Sequence, residues 1–119
     1  MKIKLLDILN SKEVLIKLGD TSFSDGLTSY KIARNIKKIN PEIETFEVAK
    51  KNLIQKYGKK EGDTEPLPQK SIDEFNMQIN EILAQEVDID VSFISPEKLS
   101  GISPFQLMAI DWMLEAEQV

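Results

Sequence analysis

A chain of 119 residues, 41% hydrophobic and with a net charge of −5, is the size of one domain and can bury roughly two-thirds of its unfolded surface in a single core. It contains neither cysteine nor histidine, which removes disulfides, the usual zinc ligands, the thiol nucleophile and the commonest general base, and with them most hydrolytic mechanisms. The charge is split: residues 1–60 carry 13 basic and 7 acidic side chains and residues 61–119 carry 2 and 13, so the two halves either lie together and cancel, or expose patches that steer a partner or stack copies head to tail.

Ile3 and Leu5 alternate with Lys2 and Lys4, which predicts a short strand. Charges interleaved through the first seven residues do not resemble a secretory signal. Ser11 is placed to cap a helix running to Leu18, with Val14, Leu15 and Leu18 on its buried side and Gly19 as terminator. Residues 21–26 read as a polar link.

The stretch Ser29 to Tyr57 dominates the chain. Ile32, Ile36, Ile39, Ile43, Phe46, Leu53 and Tyr57 recur at three-and-four spacing, the signature of one apolar helix stripe. Asn40-Pro41 conflicts with that pattern, because proline lacks an N–H and clashes with the carbonyl four residues back. The stripe keeps its phase across Pro41, so the spacing favours one long helix kinked there over a break with Asn40 capping a new helix. Residues 58–70, rich in glycine, proline and charge, read as a mobile loop.

Ser71 and Glu74 match a capping box, opening a helix with Ile72, Phe75, Ile79, Ile82 and Leu83 on one face. That helix is too short to line the whole of the first one. The remainder of the stripe needs the N-terminal helix, the C-terminal helix or another subunit. Val87 to Ile94 alternates and predicts a half-buried strand, with Lys2 and Lys4 facing Asp88 and Asp90 across a two-stranded sheet. Ser95-Pro96 opens a brief turn to Leu99. Ser103-Pro104 opens a helix to about Glu115, where Gln106 can close a capping box.

Three clusters carry functional possibilities. Tyr30, Lys31, Arg34, Lys37 and Lys38 form a basic patch with one aromatic, suited to an anion or nucleotide; a solvated helix face explains the same residues, and a single arginine with an acidic overall balance disfavours nucleic acid. Ile36, Ile39, Ile43, Phe46 and Trp112 are candidates for a protein interface wherever the long stripe is left uncovered. Asp88 and Asp90 with neighbouring glutamates form an acidic run that could imitate a nucleic-acid backbone, although strand alternation alone demands polar residues there. None of these clusters is a catalytic motif, a metal site or a cofactor fingerprint.

The order of features is similar to that of small acidic proteins of unknown function encoded by phages and prophages of low-GC bacteria. The pieces that carry the resemblance are residues 2–10, Tyr30-Lys31-Ile32-Ala33, Glu44-Thr45-Phe46-Glu47, residues 53–58 and Ile102-Ser103-Pro104 through Trp112. Pro41 departs from the uninterrupted helix expected for such a protein. The resemblance implies an origin and a size class, and no mechanism.

The expectation is therefore one α+β domain over residues 1–119, mainly helical, with a long antiparallel helical hairpin, a small two-stranded sheet and terminal helices. Functionally, it is a non-enzymatic, cofactor-free protein that binds phage or host proteins, in particle assembly or as inhibitor of a host defence factor. It is expected to be a homo-oligomer, without membrane contact and without nucleic acid, in the host cytoplasm or on the virion. An anion binder and an acidic nucleic-acid mimic are the alternatives.

Overall fold

Lys2–Lys4 forms strand β1, and Leu5 turns directly into helix α1, Leu5–Gly19. In this computed structural model the described residues are 1–21, 23, 25–58, 62, 65–99 and 101–115. Residues 59–61, 63 and 64 of the loop expected over 58–70 lie outside them, and residues 69 and 70 are already helical. The helix starts earlier than the sequence suggested because Leu5, Ile8, Leu15 and Leu18 all fall on its buried side. Ser11 is thus no cap: it sits within α1, buried, and donates its hydroxyl proton to the Ile8 carbonyl at 2.7 Å. Gly19 lies where a Cβ would approach Ile36 Cδ1 to 3.2 Å, so its missing side chain lets α1 close on its neighbour.

That neighbour is α2, Gly26–Tyr57, 32 residues without a break and about 48 Å long at 1.5 Å per residue. Asp25 caps it, accepting from the Leu27 N–H at 3.2 Å and the Thr28 hydroxyl at 2.8 Å. The Thr28 bond, above all, holds the Asp25 carboxyl below its ordinary range; desolvation opposes it, and the Leu27 N–H and the nearby Lys98 and Lys31 add to the lowering. The helix continues through Pro41. The Lys37 carbonyl there has no donor four residues on, which solvent exposure makes tolerable. Thr45 turns its hydroxyl back onto the Pro41 carbonyl at 2.8 Å.

Helix α3, Gln69–Leu83, returns beside α2 as the second arm of a helical hairpin, and Gln78 Nε2 donates to the Tyr57 hydroxyl at 2.7 Å. It begins at Gln69 behind Pro68 and not at a Ser71 capping box. No side chain caps it, and Gln69 Nε2 instead donates to Asp73 Oδ1 at 2.9 Å.

Strand β2, Glu86–Asp88, pairs antiparallel with β1 in the register Lys2 with Asp88, Ile3 with Val87 and Lys4 with Glu86. The expected strand over 87–94 is cut to three residues because β1 offers only three to pair with. Lys4 consequently faces Glu86, and Asp90 finds a different partner. Ile94 makes a parallel bridge to Leu114, through Ile94 N–H to Met113 O at 2.9 Å and Glu115 N–H to Ile94 O at 2.8 Å.

A 3-10 turn at Pro96–Lys98 follows. Helix α4, Pro104–Ala109, then opens on the expected capping box between Ser103 and Gln106. It stops well short of Glu115, giving way to a 3-10 turn at Asp111–Met113. Ile110 and Met113 are both fully buried, and Leu114 must be extended to bridge Ile94, which a continued α-helix would prevent.

The fold is mainly helical with a small antiparallel sheet, 54 × 27 × 24 Å overall. Its core joins Ile3, Ile8, Leu15, Ile32, Ile39, Ile43, Ile89, Ile94, Leu99, Ile110 and Met113, drawn from both ends of the chain. Helix α1 supplies the cover that the long stripe required, with α4 and the 89–99 segment closing the other sides.

Candidate functional site

The N-terminal half of α2 has two faces of opposite character. Inward, Ile32, Asn35, Ile39, Ile43 and Phe46 are buried. Three of the residues expected at a protein interface, Ile39, Ile43 and Phe46, are therefore core residues. Ile36 is half-buried against Gly19. The fifth, Trp112, is half-buried, and its buried indole N–H has no hydrogen-bond partner among the described residues. The apolar stripe is covered within the chain by α1 and the C-terminal segments, which is why it offers no free interface there.

Outward, the basic patch survives as a surface. Tyr30 is 61% exposed, and Arg34, Lys37 and Lys38 are exposed with it, while Lys31 is half-buried. Tyr30, Ala33, Arg34, Lys37, Lys38 and Pro41 line an open depression of about 690 Å³. Residues four apart lie above one another on a helix, so Tyr30, Arg34 and Lys38 form one ridge and Ala33, Lys37 and Pro41 the next. The depression is the groove between them, basic on both sides, with the small Ala33 side chain leaving one wall low.

Asn35 ties this face to the rest of the molecule. It is fully buried, its Nδ2 donates to the Ser92 carbonyl at 2.9 Å, and its Oδ1 accepts the Ser92 N–H at 2.9 Å. A side-chain amide thus satisfies both backbone groups of a residue that has no strand partner. Its Nδ2 also lies 3.6 Å from Met113 Sδ. The clamp lays the 89–93 segment across α2, which brings the Asp90 carboxylate to 3.4 Å from Arg34. Both groups are largely exposed, and such a pair is worth under about 1 kcal/mol. Asp88 lies 3.0 Å from the Met1 amino group.

Asn35 is missed by a reading that follows only apolar spacing. Its signal was there: Ile32, Asn35, Ile39 and Ile43 share one helical face, so a lone amide on an otherwise apolar line marks a buried polar contact.

Two more surface features matter. Phe105 and Met108, three residues apart on α4, are 83% and 72% exposed. Along α3, Asp73, Met77 and Glu81 form an exposed row at four-residue spacing, flanked on one side by Asn76 and Asn80. Among the described residues, the Arg34 contact is the one ion pair between the basic side chains of α2 and the acidic second half of the chain. The described residues contain no helix long and apolar enough to cross a membrane and no cluster of three or more potential metal ligands. Comparison with models of protein families, with curated proteins and with solved structures gave no match.

Proposed function

We propose that this chain is a non-enzymatic, phage-encoded protein that works by binding another protein, in particle assembly or by occupying a host factor. The observation that carries the reading is the pair Phe105 and Met108. Two large apolar side chains stand outside on a helix fixed by a capping box and anchored by fully buried Ile110 and Met113. An aromatic beside a flexible thioether, both presented on a capped helix, is the kind of anchor that fills a partner's pocket. Leaving both in water costs burial energy that a chain of this size has in short supply. The missing histidine and cysteine favour binding over catalysis, and the resemblance to small acidic phage proteins supplies the setting.

A photo-crosslinking residue placed at Phe105 in cells carrying the phage tests the reading, with the same residue at the exposed Asp7 of α1 as control. One protein captured at position 105, absent at position 7 and lost with Met108→Asp, supports it. Equal capture at both positions refutes it.

A further inference from the structure

We propose that the basic groove on α2 receives the α3 helix of a second copy of this chain, so that molecules associate head to tail. The groove lies between the ridges Tyr30, Arg34, Lys38 and Ala33, Lys37, Pro41. A groove between two four-residue rows accepts a four-residue ridge of another helix, the commonest helix-packing mode. Such a ridge stands exposed on α3 as Asp73, Met77 and Glu81, with a carboxylate on either side of a methionine that is 57% exposed. Docked, Met77 meets the apolar surfaces of Ala33 and Tyr30, and the carboxylates meet Arg34, Lys37 and Lys38.

Three observations favour this occupant. Charge is complementary: the groove carries three exposed cations, and the ridge carries two carboxylates. Helix α3 contains no buried residue and leaves the row Asp73, Met77 and Glu81 exposed, so a further layer would give it the cover it lacks. A carboxylate, that of Asp90, already rests 3.4 Å from Arg34. A carboxylate oxygen is thus already accommodated beside one of the groove's three cations. The groove belongs to one end of the molecule and the ridge to another element, so the contact is heterologous and propagates from copy to copy.

This surface is separate from Phe105 and Met108, and either can fail without the other. The test is sedimentation velocity on the full chain at low ionic strength and at about 1 M salt, where the Debye length falls to about 3 Å. The wild type is expected to exceed monomer mass at low salt and to return to monomer at high salt. The variants Lys37→Glu/Lys38→Glu and Asp73→Lys/Glu81→Lys, all at exposed positions, should each be monomeric with unchanged circular dichroism. Mixed in equal amounts they should associate again, because one retains the ridge, the other retains the groove, and the reversed charges of the two altered surfaces complement each other.

A wild type that stays monomeric at low salt overturns the proposal. So does a mixture that stays monomeric. A single-stranded oligonucleotide that binds the wild type, and loses at least tenfold in affinity in the lysine variant, assigns the groove to phosphate and overturns it as well.

Discussion

The two ends of α2 obey the same sequence rule and reach different outcomes. From Gly26 to Phe46 it is covered by α1, the extended 89–94 segment and the C-terminal turn that carries Met113, and six of its residues are buried. From Glu47 to Tyr57 it has α3 beside it, and neither partner contributes a buried residue. Ala49, Leu53, Tyr57, Phe75, Ile79 and Ile82 are apolar at helical spacing, as Ile32, Ile39 and Ile43 are, yet they remain half-buried. Periodicity decides which face turns inward. The number of layers decides how far inward it goes, and two helices alone cannot close over a side chain.

The sharpest way to break this comparison is to truncate one side chain in each region. Ile39→Ala, at a site 1% exposed, should cost about 2–5 kcal/mol in urea denaturation. Ile79→Ala in the arm should cost about 1 kcal/mol, since only part of its surface leaves water. Equal losses would mean that the arm is as well covered as the head.

Next in size is Asn35→Ala, which strands the N–H and carbonyl of Ser92. A loss of about 2–3 kcal/mol is expected, with amide exchange accelerated in residues 89–93 while the arm is unchanged. A loss confined to a few tenths would show that water replaces the clamp.

The smallest effect concerns the start of α2. The Asp25 carboxyl is held below its ordinary value by Thr28 and the Leu27 N–H. A carboxyl whose folded value is depressed adds stability above its unfolded value, about 3.9, and loses that contribution as pH falls through the lowered folded value. Asp25→Ala should therefore lower the thermal midpoint slightly at pH 7. The gap to the wild type should narrow below about pH 4, and a gap independent of pH would assign the capping effect to something other than the charge.

Much of the fold was legible because local chemistry dictates it. The long helix from the stripe, the Ser103 and Gln106 box and the turn after Ser95-Pro96 each depend on neighbours in sequence. What escaped depends on distant partners. β2 is short because β1 is short, and α1 begins at Leu5 because Ile8 and Leu15 need a core that only residues 32–113 supply. The last helix yields at Ile110 because Leu114 is required at Ile94. Of the candidate site, the basic patch was visible as a charge cluster, and its groove follows from four-residue rows that the sequence already contained. The apolar interface candidates were misplaced for a related reason: a stripe shows that something covers it, without showing what.

The sheet joins residue 2 to residue 88, the Asn35 clamp joins 35 to 92, and the last bridge joins 94 to 114. Each of these closures needs chain that emerges late from a ribosome. Helices α1 and α2 can zip together while synthesis continues, since their contacts span a short link. The first strand must wait, unpaired, until residues 86–88 have been made. Assembly of this fold is therefore ordered in time, with a helical hairpin as the early species and the head sealed at the end.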